Sequence, residues 1–177
     1  MVDPVIKFVL QYSLVLLWLM AILHKVLDIP RFAATVADYK LLPVIFAGPI
    51  AVFVIMLEFC VMAALLFVPL LPVGPLGSAA LLTVYGIAIG LNLARGRRNI
   101  DCGCFGPHAR QQLGGWLVWR NLLLAVISLA CLLPVSSREL LWLDNLTTVA
   151  AVSVLAGLYL IVVMLIANTD AVIRLRR

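Results

Sequence analysis

Charge is what this chain has least of. Thirteen lysines and arginines and eight aspartates and glutamates make up only 12 % of 177 residues, where a soluble domain carries about 25 %. That shortage excludes an ordinary water-soluble domain. With 65 % hydrophobic residues and a mean hydropathy of +1.17, it points to an integral membrane protein. Long polar loops are missing too. The longest are roughly 15–20 residues, so a bulky substrate is either a separate partner or binds within the membrane domain. There is no internal repeat and no low-complexity segment. No small-residue cleavage site follows the first apolar run, and that run exceeds the about 7–15 residues of a signal peptide, so it is expected to remain as a span. The net charge of +5 does not indicate a nucleic-acid partner, because the positive residues cluster in loops, where they orient a protein in the bilayer.

Five apolar runs are present instead, at roughly Val5–Leu27, Val44–Val68, Leu76–Ala94, Trp116–Leu133 and Leu146–Ala167. A helical span needs about 20 such residues. The runs are too long and too leucine-rich for barrel strands, and in lipid each must satisfy its backbone internally as a helix. The expected fold is a single all-α transmembrane domain of about five helices. Pro30 is expected to stop the first helix. Phe32, Ala33, Val36 and Ala37 recur at helical spacing and predict a short interfacial helix near residues 31–40. Gly48–Pro49 predicts a kink near the start of the second span, and Pro69–Pro75 a tight connection.

The most telling residues lie between the third and fourth spans, in Asp101-Cys102-Gly103-Cys104-Phe105-Gly106. Two cysteines one glycine apart can close as a strained, readily reduced disulfide, or hold a soft metal ion with His108 as a third ligand. Arg95, Arg97, Arg98 and Arg110 in the same loop favour the thiolate, the reacting form. Cys60 and Cys131 sit inside spans, in the half of the membrane away from this loop. They are either a second pair that relays reducing equivalents or small apolar fillers. Glu58 is ionisable within an apolar run and is a functional candidate on that ground, with Lys25 and Arg120 as candidate partners. Arg120 and Asn121, near the start of span four, can stabilise a thiolate or bind a quinone carbonyl, while Arg120 can equally snorkel to the interface. His24 reads as interfacial. Tyr85 and Asn92 are expected to bond between helices.

The sequence gives two opposing answers on orientation. With five crossings, one side receives Lys25, Arg31, Lys40, Arg95, Arg97, Arg98, Arg110, Arg174, Arg176 and Arg177, and the other only Lys7 and Arg138. The positive-inside rule places the cysteine loop in the cytoplasm. A stable disulfide belongs outside it.

Taken together, these residues resemble the MauE proteins of the methylamine-utilisation type, within the broader DoxX-like membrane group. The resemblance rests on Lys25, Phe32 through Tyr39-Lys40-Leu41-Leu42-Pro43, Glu58, Asn92-Leu93-Ala94-Arg95-Gly96-Arg97, the hexapeptide Asp101–Gly106, and Arg120-Asn121. It covers roughly residues 20–125, with the hexapeptide as its specific part. The resemblance implies a bacterial inner-membrane protein that makes or maintains disulfides in an extracytoplasmic partner, the small subunit of methylamine dehydrogenase, alongside a thioredoxin-like protein. The group is also similar in architecture to membrane disulfide-forming enzymes of the vitamin K epoxide reductase type, which have a four-helix core. That similarity implies a quinone as electron acceptor. Those enzymes carry a Cys-x-x-Cys pair plus a loop pair, whereas this chain has one Cys-x-Cys pair and two cysteines inside spans.

Overall fold

The computed structural model describes residues 2–41, 43–68, 71–97, 114–136 and 138–175, with side chains described to Ile166. Every named element is helical: α1 (Pro4–Leu27), α2 (Ile29–Asp38), a 3-10 turn (Val44–Phe46), α3 (Ala47–Phe67), α4 (Val73–Ala94), α5 (Gly115–Ala130) and α6 (Trp142–Leu175). Among the described residues, four helices are long and apolar enough to cross a membrane, and α5 is a shorter apolar helix of 16 residues. The chain is a multi-pass, all-helical membrane protein.

The helix limits follow from local chemistry. α1 starts at Pro4, behind Asp3, whose carboxylate accepts the Val5 N–H at 2.9 Å. Proline is tolerated there because the first N–H groups of a helix have no intrahelical partner. The same fact explains where three other prolines sit. The first helix ends at Leu27, before Pro30 as expected, and Pro30 lies in the first turn of α2, with Asp28 accepting from Arg31 N at 3.1 Å. Pro49 lies in the first turn of α3, where the 3-10 turn hands over, and does not kink an established span. Pro75 lies in the first turn of α4, which therefore begins at Val73 and not at Leu76.

The fourth span is shorter than Trp116–Leu133. Beyond Ala130 the chain tightens into three-residue turns, Cys131 N to Ser128 O, Leu132 N to Leu129 O and Leu133 N to Ala130 O, before Pro134. At about 1.5 Å per residue, its 16 residues cover less than the about 30 Å of a hydrocarbon core. The fifth is longer than Leu146–Ala167. It starts at Trp142 because Asp144 accepts the Leu141 N–H at 2.9 Å and sits favourably in the first turn of the helix dipole.

In a bilayer, helices gain little from apolar burial against one another, so small and polar residues form the seams. The inward stripe of α1 is Gln11, Leu14, Trp18, Ile22 and Lys25, and that of α3 is Ala47, Ala51, Ile55, Glu58 and Leu65. Their spacing of three and four residues is one helical face. α4 contributes Ser78, Leu82, Ile89 and Asn92, and α5 contributes Leu117, Asn121, Ala125 and Ser128. Polar members bond across the seams. The Gln11 amide donates to Leu65 O, the Trp18 indole to Ser78 Oγ at 3.0 Å, and Ser128 Oγ to Pro75 O at 2.8 Å. Asn92 departs from its expected interhelical role and donates to Ala88 O of its own helix at 3.0 Å, the local back-bond open to a short polar side chain.

α1, α3, α4 and α5 form the core, with α4 and α5 the most closely packed pair. α2 lies against α3, and α6 packs chiefly on α1. Leucine, valine and phenylalanine side chains such as Phe53, Phe59 and Leu123 stay exposed on the outside, the arrangement a hydrocarbon solvent selects. At one end the N-terminus is tied to the α5–α6 connection. Val2 N donates to Pro134 O at 2.9 Å and Ser136 N to Val2 O at 3.0 Å. Arg138 bridges Asp3 and Asp144, at 3.3 and 3.0 Å. The start of α1, the end of α5 and the start of α6 therefore share one end of the bundle. The end of α1 and the start of α5 lie at the other, which is where the cysteine-bearing segment joins α5.

Candidate functional site

Glu58 had two candidate partners in the sequence, and the structure pairs it with Lys25. Both are buried on inward stripes, with side-chain exposures of 2 % for Lys25 and 0 % for Glu58. The Lys25 ammonium donates to Glu58 Oε1 and, at 3.2 Å, to the Tyr85 hydroxyl. That hydroxyl in turn donates to Glu58 Oε1 at 2.5 Å. Lys25 Nζ also lies 4.8 Å from the centroid of the Phe32 ring and 5.0 Å from that of Tyr85. An ammonium has three donors and must place all of them when it leaves water. Here a carboxylate, a hydroxyl and two aromatic faces surround it.

Four helices build this triad. α1 brings Lys25 in its last turn, where a cation also complements the helix dipole. α2 folds back to lay Phe32 over it. α3 carries Glu58 on its inward stripe, and α4 carries Tyr85. From α5, Arg120 and Asn121 face the same region. The Arg120 guanidinium carbon lies 5.5 Å from the Trp116 ring centroid, one turn earlier, which fixes its stem by a cation–π contact. Asn121 is 1 % exposed and donates to Leu117 O at 2.8 Å.

These groups converge on a cavity of about 380 Å³ whose other walls are mostly hydrocarbon, with Ser13 and Tyr159 the further polar side chains. Lys25, Glu58, Tyr85, Arg120 and Asn121 all line it. Leucines and an isoleucine of α1, α5 and α6 complete it, and Trp18 faces Tyr85 with ring centroids 6.4 Å apart. Pockets that hold small molecules have this make-up, a mostly apolar wall with a few convergent polar groups. The four supporting residues singled out from sequence thus come together at one place. Tyr85 bonds between helices as expected, but the sequence did not mark it as a member of this site. Its signal was a hydroxyl midway along an apolar span, where an unsatisfied polar group is costly.

Cys102, Cys104 and His108 lie outside the described residues, as does the rest of the hexapeptide. Among the described residues no group of three or more His, Cys, Asp or Glu side chains is placed to hold a metal ion. Cys60 and Cys131 are both free thiols. Cys60 is exposed on α3, whereas Cys131 is 2 % exposed and packs in a cluster with Leu14, Trp18 and Ala125. His24 bonds through Nδ1 to Met20 O of its own helix at 2.7 Å.

Comparison with known proteins gives one consistent result. The family described as methylamine utilisation protein MauE matches residues 3–134. The MauE protein of Paracoccus denitrificans is 33 % identical over 130 residues, 73 % of this chain and 70 % of that protein. That of Methylorubrum extorquens is 36 % identical over 136 residues, 76 % and 73 % of the two chains. That of Paracoccus versutus is 36 % identical over 159 residues, 89 % and 85 %. No solved structure matches the chain. The matched region takes in the ion-paired triad, the cysteine segment and α5, and the chain belongs to the MauE family.

Proposed function

We propose that this protein is the membrane-embedded thiol–disulfide component of a methylamine-utilisation system, exchanging disulfides through Cys102 and Cys104. One observation carries the reading. The buried Lys25–Glu58–Tyr85 triad and Arg120 gather toward the end of the bundle where the cysteine-bearing segment leaves α4 and enters α5. The Lys25 charge is balanced by Glu58, and Arg120 is the cation among these groups that favours thiolate over thiol. Exchange then proceeds through a mixed disulfide. The thiolate of one dithiol attacks a sulfur of the other protein's disulfide, and the second thiol resolves the bridge. Two electrons and two protons pass from dithiol to disulfide, so no further reactant is required.

On this reading the protein sits in a bacterial inner membrane and works with a thioredoxin-like membrane or periplasmic protein. Its substrate is a disulfide-containing extracytoplasmic protein of the methylamine dehydrogenase small-subunit kind. The cysteine segment then faces outward, against the lysine and arginine count.

The test is thiol trapping in intact cells with membrane-impermeant and permeant maleimides, on variants that keep only Cys102 or only Cys104. Labelling by the impermeant reagent is the expected result. Labelling by the permeant reagent alone overturns extracytoplasmic exchange. A Cys102→Ser/Cys104→Ser variant that still matures its partner would leave a non-catalytic assembly factor. A His108→Ala variant as damaged as Cys102→Ser would leave a soft-metal site formed by Cys102, Cys104 and His108.

A further inference from the structure

α4 carries a lipid-facing stripe that ends in charge. Val84, Ile87 and Leu91 stay exposed and lie on one face of the helix. Arg95 continues their spacing of three and four residues and is exposed as well. With 22 residues at about 1.5 Å each, α4 is long enough to cross the about 30 Å of a hydrocarbon core, so its last turn lies at the headgroups. The chain then turns back. Gly96 takes the left-handed conformation, φ 72°, which glycine adopts without strain. The Gly96 N–H donates to Leu93 O and the Arg97 N–H to Asn92 O, both at 3.0 Å, the paired bonds that close a helix end. This turn returns Arg97 to the end of α4 and leaves Arg95 outside. The Arg97 side chain is partly buried. Its Nη1 is buried with no acceptor among the described residues, Asn92 Oδ1 included. α2 ends at the same place, where Tyr39 packs with Leu93 on Ile89 and Leu117 and Lys40 follows, exposed. Among the described residues of these two helix ends, Lys40, Arg95 and Arg97 are three cations against one carboxylate, Asp38.

We propose that this corner binds the headgroup phosphate of an anionic bilayer lipid, whose acyl chains lie along Val84, Ile87 and Leu91. Cations complement the negative C-terminal ends of both helices. That accounts for the exposed Lys40 and Arg95, but not for a buried guanidinium N–H without an acceptor, which is costly until an anion meets it. A phosphate oxygen does so through a charge-assisted hydrogen bond, the geometry a guanidinium is built for. Lys40 and Arg95 then supply the surface charge that prefers an anionic headgroup to a zwitterionic one. The stripe selects a lipid phosphate over a dissolved one, because a free ion gains nothing from Val84, Ile87 and Leu91. The site lies at the end of the bundle where the cysteine-bearing segment leaves α4, and it stands whether or not Cys102 and Cys104 exchange disulfides.

The full chain is placed in nanodiscs of phosphatidylcholine, alone or mixed with phosphatidylglycerol, and treated with phenylglyoxal, and the modified arginines are mapped by mass spectrometry. Phosphatidylglycerol protects Arg97, while Arg138 at the other end of the bundle reacts alike in both. Arg97 reacting alike in both lipids overturns the site. Inorganic phosphate that protects Arg97 in pure phosphatidylcholine as well as phosphatidylglycerol does overturns the lipid and leaves a dissolved-anion site. Native mass spectrometry of the chain released from mixed nanodiscs reads the preference for phosphatidylglycerol directly. Arg97→Gln lowers that preference at least about tenfold, the scale of one charge-assisted hydrogen bond. Lys40→Gln lowers it about fivefold, the scale of one basic residue at a lipid surface, and serves as the second variant should Arg97→Gln fail to fold. Arg138→Gln leaves it unchanged. A folded Arg97→Gln or Lys40→Gln chain that keeps the full preference, or an Arg138→Gln chain that loses as much as Arg97→Gln, overturns the proposal.

Discussion

Removing the Lys25 charge tests the centre of this structure. In Lys25→Met a flexible apolar chain replaces an ammonium that contacts Glu58, Tyr85 and the Phe32 ring. Two magnitudes compete. An interhelical hydrogen bond in a membrane protein contributes about 0.6 kcal/mol on average. Breaking a buried ion pair by deleting one partner costs about 3–5 kcal/mol, because the remaining charge is left uncompensated. With side-chain exposures of 2 % and 0 %, water cannot take over the role of Lys25, so the larger figure applies. The expected loss is about 3 kcal/mol, read by unfolding in mixtures of dodecyl maltoside and sodium dodecyl sulfate followed by helical circular dichroism. Lys25→Met/Glu58→Met removes both charges while keeping similar volumes, and recovers most of that loss. The recovery is the diagnostic part, since a double-mutant cycle isolates the pair from the packing each residue does alone. A single variant that loses no more than about 0.6 kcal/mol, or a double variant no better than the single, would refute a dry, mutually dependent ion pair.

Other seams make their own predictions. Ser78→Ala leaves the Trp18 indole N–H without its acceptor in a site where Trp18 is 1 % and Ser78 0 % exposed, and should cost about 1–3 kcal/mol in the same unfolding assay, and less when introduced into a Trp18→Phe background, where no indole N–H is left to satisfy. Gly74→Ala places a Cβ 2.9 Å from Leu65 N of α3, which forces two backbones apart at about 1–3 kcal/mol. Gly90→Ala on the same helix meets nothing within 4 Å and should be neutral, or stabilising by up to about 1 kcal/mol. Arg138→Ala cuts the link between Asp3 and Asp144, where hydrogen bonds that the guanidinium donates to Asp144 and then to Asp3 hold it above its ordinary pKa. It should speed hydrogen exchange at Val2 and Ser136 with little change in the unfolding midpoint. Cys60→Ala and Cys131→Ala should each retain thiol exchange, because one thiol is exposed on α3 and the other is enclosed by apolar side chains. Loss of turnover in both would establish a relay through the membrane.

The sequence by itself determined the solvent and hence the class of fold. Long uncharged runs must be helices in lipid, whatever their neighbours, since no other backbone arrangement satisfies their peptide groups. It also marked Lys25, Glu58, Arg120 and Asn121, because a polar group in such a run is conspicuous by its cost. Helix ends were less legible. Pro30 rightly marked the end of the first helix, whereas Pro49 read as a kink and Pro75 as part of a connection, and both proved to sit in a first turn, where the missing N–H is not needed. The spacing within one helix cannot say which helix lies opposite. That Glu58 meets Lys25, that Tyr85 closes the triangle, and that α6 leans on α1 and leaves a slot beside α5 depend on contacts between segments far apart in the chain. Only the tertiary structure decided them, because interhelical packing in a membrane is set by shape and by hydrogen-bond pairing, and apolar periodicity does not encode either.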